Sequence, residues 1–291
     1  MQHVPVMLQE CLEYLALKPG GVYLDATCGL GGHTAAIARR LESGIVLACD
    51  RDSESLALAR ANTADVSARI RFHQSLFSQL GEALEAEKIP QFDGLLADLG
   101  VSRFQLVGGE RGFSLMADGP LDMRMDREGP RGVQGTAADI VNYTSEKDLA
   151  DLIYELGEER RSRQISRAIV RGRPITTTGQ LAKLIEGVAP RTGKIHPATR
   201  TFMALRMAVN RETEELDALL AALPRLIKPG GRAVIITFHS LEDRKVKHAF
   251  QDMARAARAR LLTRHVVKPS AEEIRANPAS RSAKLRALQL V

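Results

Sequence analysis

Three aspartates close apolar runs in this chain, and each stands where a small polar ligand could be held. Asp25 ends Val22-Tyr-Leu and is followed by Gly29, Gly31 and Gly32; Asp50 ends Ile45-Val-Leu-Ala-Cys; Asp98 ends Phe92-Asp-Gly-Leu-Leu-Ala. Carboxylates at the ends of strands can accept hydrogen bonds from ribose hydroxyls or from an ammonium group. Glycines after the first acid allow positive φ and close backbone approach to a ligand, and the helix that follows offers N–H groups at its start. A histidine, His239, directly follows a further apolar run, Arg232-Ala-Val-Ile-Ile-Thr-Phe238.

The turn is a poor dinucleotide fingerprint. Gly29-Leu30-Gly31 begins a G-x-G-x-x-G, but the third position is Thr34, and Asp25 is no part of that pattern. An acid, three residues and then G-x-G resembles the first motif of S-adenosylmethionine-dependent methyltransferases, where no pyrophosphate has to be cradled. A nicotinamide oxidoreductase on the same sheet, and a doubly wound domain whose glycines only make the turn, stay open on these residues alone.

The elements that position these groups alternate. Apolar spacing over residues 6–15 predicts a short helix, broken by Lys18-Pro-Gly-Gly21. Strands are expected at 22–24, 45–50, 69–73 and 92–98, with helices between, one of them capped by Ser53. Such alternation implies a parallel sheet with ligands outside the carboxyl ends of its strands, where Asp25, Asp50, Phe77 and Asp98 would gather. The alternation stops at Gly100. Residues 108–135 hold seven glycines and two prolines, and a loop of that length is usually functional or disordered. Helices follow, behind Ser145 and Thr178 as caps. A long helix through Phe202, Leu205, Val209, Leu216 and Leu219 precedes Lys228-Pro-Gly-Gly231 and the fifth strand, and 261–267 and 285–291 supply two more strands.

The chain has 291 residues, 44% apolar and 26% charged, as in an ordinary globular protein. No apolar run approaches a membrane span and the first residues lack a signal-peptide pattern, so the cytoplasm is the expected location. Three cysteines without a C-x-x-C argue against a disulfide framework or a metal site; Cys28 and Cys49 are expected to pack as small apolar groups. The net charge is +6, and from Arg244 onward twelve basic residues face three acidic ones. Such an excess attracts phosphate backbones, although a solvated basic face is the simpler reading. Arg160, Arg163, Arg167 and Arg171 recur along one side of a helix and can grip phosphates or pair with Glu155, Glu158 and Glu159. Asp122 and Arg124 can organise a lid, contact RNA or form a local ion pair, and Phe104 and Phe113 are the candidates for stacking on bases.

Taken together, residues 3–6, 25–33, 50–52, 98–102, 110–113, 119–126, 157–160, 196–202, 238–244 and 277–286 resemble one family over nearly the whole chain: the bacterial methyltransferases that modify the N4 amine of a cytosine in 16S ribosomal RNA, known as RsmH or MraW. Departures are Arg103 where a serine is usual, Cys28, Leu30 and Met203. The resemblance implies a class I, Rossmann-like α/β fold, with a doubly wound, mostly parallel seven-stranded sheet. It divides the chain into a methyltransferase domain at 1–102 and 206–291 and an inserted loop plus helical RNA-recognition subdomain at 103–205. It also implies S-adenosyl-L-methionine as cofactor, held by Gly31, Gly32, His33, Asp50, Phe77, Asp98 and Gln105, and a substrate, cytosine 1402 in 16S numbering, within the small ribosomal subunit. Within that frame Asp98 can serve the cofactor or the substrate amine. His239 can orient the base or relay a proton, or be a structural histidine. Arg124, Arg163 and Arg167 are the candidate RNA contacts; no metal and no membrane partner is expected, and a homodimer stays open. A non-catalytic RNA-binding factor of the same fold is the remaining alternative.

Overall fold

The computed structural model describes residues 4–102, 105, 109–127, 135–189 and 196–291. The chain forms two units, Met1–Gly100 with Glu214–Val291, and Val101–Thr213.

The first unit is organised on a sheet of strands β1 (Val22–Asp25), β2 (Ile45–Asp50), β3 (Ile70–Gln74), β4 (Phe92–Asp98), β5 (Ile227–Thr237), β6 (Ala259–Leu261) and β7 (Lys284–Leu290), in the order β3-β2-β1-β4-β5-β7-β6. β1 runs parallel to both β2 and β4, β2 to β3, and β4 to β5; β7 is antiparallel to β5 and to β6. This is the doubly wound, mostly parallel α/β sheet expected. Because strand side chains alternate between faces, neighbours in sequence serve different cores. Leu24, Leu47 and Leu95 face Leu80 of helix α4 (Leu80–Ala86), Leu219 and Leu223 of α10 (Glu212–Leu226) and Phe250 of α11 (Ser240–Arg255). Tyr23, Val46 and Leu96 face Cys11 and Leu15 of α1 (Leu8–Leu15), Ile37 of α2 (Gly32–Ala38) and Leu56 of α3 (Ser53–Asn62). With both faces covered, β4 is buried along nearly its whole length, which explains its unbroken apolar stretch. All three cysteines are buried and free.

Several local expectations are corrected. Asp52, not Ser53, caps α3 by accepting from the Glu54 N–H. Lys228-Pro-Gly-Gly231 lies inside β5 rather than before it; a register shift opposite Phe92 and Gly94 accommodates a proline that has no ladder donor. The strand expected at 261–267 shrinks to β6 and a single bridge from Val267 to Leu285.

The second unit packs helices α5 (Ala137–Tyr143), α6 (Glu146–Gly157), α7 (Ser162–Arg171), α8 (Thr178–Val188) and α9 (Thr199–Asn210) around Ile140, Leu149, Ile153, Ile165, Ile169, Leu181, Ile185 and Leu205. Ser145 caps α6 as expected, whereas α8 is capped by Thr177 with a reciprocal bond from Gln180, not by Thr178. The long helix expected through Phe202 and Leu219 is two helices, α9 and α10, separated at Arg211, which takes a left-handed φ of 51°.

The described part of the glycine-rich stretch, 109–127, is ordered on this helical core. Phe113, Leu121, Met123 and Met125 are buried in it, so Phe113 is a core residue and not a stacking platform; Phe104 lies outside the described residues. Asn210 is the anchor. Its Nδ2 donates to the Met123 carbonyl at 2.7 Å and its Oδ1 accepts from the Met125 N–H at 2.9 Å, both buried. Replacing Asn210 with alanine strands two buried backbone groups, each worth about 1–3 kcal/mol. Urea denaturation of N210A should show a loss of about 2–4 kcal/mol with faster exchange at the Met125 amide; a loss under about 0.5 kcal/mol would remove this anchor from the account.

Candidate active site

The site is built at the bend that follows β1. The Asp25 carboxylate is wholly buried; its Oδ2 accepts from the Thr34 hydroxyl at 2.6 Å and its Oδ1 from the Thr27 N–H at 3.2 Å. The Ala26 N–H donates to Leu96 and the Cys28 N–H to Cys49, so the chain leaves the sheet still tied to β4 and β2. Gly29 and Gly31 then take φ of 52° and 87°. A Cβ on Gly31 would stand 2.7 Å from Thr63 Cγ2 and one on Gly32 2.6 Å from Pro5 Cγ, whereas one on Gly29 would meet only the Thr27 oxygen at 4.0 Å. Gly31 and Gly32 therefore admit neighbouring protein, and Gly29 is the glycine whose open side can admit a ligand. That division was invisible in the spacing.

Asp50 faces the same bend from β2. Its Oδ2 accepts from the Gly29 N–H at 2.7 Å and its Oδ1 from the Asp52 N–H at 2.9 Å. Each oxygen keeps a further lone pair for a ligand hydroxyl. Burial pushes both Asp25 and Asp50 up to about 6, against the N–H and O–H bonds they receive.

Asp98 completes the group from β4. Its N–H donates to the Thr27 hydroxyl at 2.6 Å, and its Oδ2 lies 3.8 Å from His33 Nδ1. Among the described residues its buried Oδ1 has no hydrogen-bond partner. Burial, then the charges of Asp25 and Glu242, hold its carboxyl well above the usual range. His33 sits buried in the first turn of α2 with Nε2 at 2.9 Å from the Val6 carbonyl.

Val6 belongs to a strap, residues 4–7, that crosses the bend. Pro5 covers Gly32, the Met7 N–H donates to Glu273 Oε1 at 2.6 Å, and Asn277 Nδ2 donates to the Val4 carbonyl at 3.1 Å. Glu273 lies in helix α12 (Ala271–Ala276), which Ser270 caps.

His239 is placed at the start of α11 as its cap. Nδ1 receives the Glu242 N–H at 3.5 Å, and Nε2 lies 3.0 Å from Glu242 Oε1. Glu242 is itself buried and accepts from the Phe238 N–H at 3.1 Å. Nδ1 thus meets the backbone of Glu242 and Nε2 lies beside its carboxylate, a pairing that the i, i+3 spacing could have signalled. Phe77, just past β3, packs half-buried against the face that carries α4, α10 and α11. Gly31, Gly32, His33, Asp50, Phe77, Asp98 and His239 all lie in the first unit; Gln105 lies in the second, where its Oε1 accepts from the Ser102 N–H at 2.9 Å. Arg103 is outside the described residues.

In the second unit Arg124 is held bidentate by Asp122, with Nε to Oδ1 at 2.7 Å and Nη2 to Oδ2 at 2.9 Å, and the fork of charge-assisted bonds keeps the Asp122 carboxyl below its ordinary range despite burial. Arg163 and Arg167 lie exposed on α7; Arg160 precedes the helix rather than continuing its row. Arg167 pairs with Glu146 at 3.4 Å, not with Glu155, Glu158 or Glu159. Of the basic residues after Arg244, Lys245 pairs with Asp217, and Lys284 and Arg286 with Asp243. Arg258, Arg264, Lys268, Arg275 and Arg281 are exposed.

A family model described as the MraW methylase family matches residues 1–291. A protein of Solibacter usitatus named ribosomal RNA small subunit methyltransferase H is 58% identical over 288 residues, covering 99% of each chain. One of the same name from Acidobacterium capsulatum is 49% identical over 298 residues, covering 99% of this chain and 98% of its own. Among solved structures an rRNA methylase from Streptococcus thermophilus aligns over 100% of this chain and 99% of its own, at 10% identity and a TM-score of 0.44, too distant to add to the assignment. The unbroken match from first residue to last, on a seven-stranded sheet of this order, makes the chain a methyltransferase of the MraW methylase family.

Proposed function

We propose that this protein transfers a methyl group from S-adenosyl-L-methionine to the N4 amine of cytosine 1402, in 16S numbering, of 16S ribosomal RNA within the small ribosomal subunit, in the bacterial cytoplasm. The observation that carries the reading is the Asp98 Oδ1: a buried acceptor without a donor, beside a glycine bend and two further carboxylates. Leaving such an acceptor unmatched costs about 1–3 kcal/mol, so the site calls for a ligand or substrate that brings N–H groups. Asp25 and Asp50, ionised above about pH 6, also repel the pyrophosphate of a dinucleotide and favour a cationic cofactor, which disfavours the nicotinamide alternative.

The residues present fit that cofactor. The open side of Gly29 and the backbone at Gly31, Gly32 and His33 would receive it at the bend; the spare lone pairs of Asp50 would take its ribose hydroxyls, and Phe77 would flank its base. When bound, the cofactor supplies a methyl group activated by sulfonium. The chain's task is then to hold the cytosine amine in line at about 3 Å and to make its nitrogen a better nucleophile. That lone pair is delocalised into the ring. An acceptor drawing on an N–H lets the nitrogen pyramidalise, and Asp98 is assigned that work in preference to His239, whose Nδ1 caps α11 and whose Nε2 lies beside the Glu242 carboxylate. A base in structured RNA must also be turned out of its stack to reach the edge of the sheet.

Arg163 and Arg167 are assigned to phosphate contacts. The exposed pair of Arg167 with Glu146 is worth little in water, so a phosphate can displace it. Arg124, locked by Asp122, is assigned instead to shaping the 109–127 loop. The relatives' shared name supports RNA of the small subunit as substrate.

The test is to incubate the protein with radiolabelled methyl donor and small subunits lacking the modification, and to identify the product by mass spectrometry. N4-methylcytidine is the expected nucleoside, and label in protein, lipid or no macromolecule would overturn the reading. Donor affinity should fall as pH drops below about 6, where burial places the titration of Asp50, because the protonated acid loses an acceptor for the ribose. Calorimetric titration between pH 7 and pH 5 should show that decline in the wild type, and D50A should bind at least about 100-fold more weakly at pH 7 with an unchanged circular dichroism spectrum. Replacing both Arg163 and Arg167 with alanine should reduce the slope of log affinity for the RNA against log salt by about 1.4; equal slopes would place those arginines away from phosphates.

A further inference from the structure

We propose that His33 is the second member of a proton relay, taking from Asp98 the proton that the cytosine amine gives up. The inference rests on the methyl-transfer reading above and names a residue role that the reading leaves open.

The tautomer of His33 follows from its neighbour. A carbonyl oxygen can only accept, so the 2.9 Å contact with Val6 requires the proton on Nε2. The neutral ring then turns the lone pair of Nδ1 toward Asp98 Oδ2, 3.8 Å away. An ionised Asp98 and a neutral Nδ1 are two acceptors facing each other; one proton between them makes the arrangement favourable. The other carboxylate oxygen, Oδ1, has no partner, which gives Asp98 one oxygen for the amine and one for the imidazole. Burial and the surrounding acids strengthen the proton affinity of Asp98: Asp25 at the end of β1, with Asp50 behind it on β2, and Glu242 from α11. Cys11 on α1 is a neutral thiol at working pH, its own titration pushed up by burial and by Asp98.

The balance is complete. The amine nitrogen forms a bond to the methyl carbon while the carbon–sulfur bond breaks, its electron pair remaining on sulfur. Asp98 starts as the neutral acid with its proton on Oδ2, on the side of His33; as Oδ1 takes the amine N–H proton, Oδ2 releases its own to His33 Nδ1. The imidazolium that results keeps its Nε2–H on Val6, and the 3.8 Å between Nδ1 and Oδ2 closes to hydrogen-bond length for the transfer. His33 acts through Asp98 and is a positioning and relay residue.

Glutamine at this position keeps an N–H for Val6 and removes the titratable acceptor. Single-turnover methylation of unmodified small subunits at saturating donor, from pH 5.5 to pH 8.5, should show a wild-type rate that rises with pH, as a relay ending on an imidazole requires. H33Q should be slower by about 100-fold or more and should lose that rise, with donor affinity within about threefold of wild type. Nitrogen NMR of histidine-labelled wild-type protein provides a test that needs no variant: at pH 7.5 the His33 ring should be protonated at Nε2 and not at Nδ1. The opposite tautomer, or an H33Q rate and pH profile matching wild type, would overturn the relay alone. A wild-type protein that methylates no cytosine would instead overturn the reading on which the relay rests.

Discussion

A wholly buried carboxylate, Asp25, is the interaction on which the site depends. It cannot be solvated where it lies, so it must be satisfied by the chain, and its donors come from the bend itself: the Thr27 N–H and the Thr34 hydroxyl. Those two bonds fasten the loop to the first turn of α2, and Thr27 in turn presents its hydroxyl to the Asp98 N–H. Asp50 fixes the bend from the other side through the Gly29 N–H. The geometry of three strand ends is thus set by one desolvated charge and the groups recruited to it, and the crowding of acids that results gives the edge its preference for a cation.

That arrangement assigns charge of opposite sign to different parts of the chain. The sheet edge gathers anionic groups in a chain whose net charge is +6, while the cations that could meet a polyanion lie on exposed helix and loop positions, Arg163 and Arg167 on α7 and Arg264, Lys268, Arg275 and Arg281 near the end of the chain. In the proposed reading, affinity for RNA and affinity for a cationic cofactor fall to different residues. Each can be tuned without cost to the other.

The sheet was legible in the sequence because its strands are nearly continuous apolar runs ended by acids, and because parallel strands must be separated by crossover segments that announce themselves as amphipathic helices. Less legible were features decided by tertiary contacts. Nothing in the composition of 199–226 marks Arg211 as the break between α9 and α10, and the proline of β5 reads as a helix stop until the register shift against β4 is seen. At the site, Asp50 and Asp98 stood out by position, but the partition of the glycines did not, since only the packing of Thr63 and Pro5 separates Gly31 and Gly32 from Gly29. His239 illustrates the converse: a histidine after a strand looks available for chemistry, although its i, i+3 spacing to Glu242 already hints at the pairing made on helix α11.

The strap over the bend joins partners that are synthesised far apart in time. Met7 meets Glu273 across 266 positions of sequence, and at roughly 5–20 residues added per second the ribosome takes about 13–53 s to deliver the second after the first. Until then Val6 has no clamp to steady its carbonyl against His33. The nascent polypeptide therefore carries an unlatched bend until the last eighth of the molecule has folded back onto the first few residues.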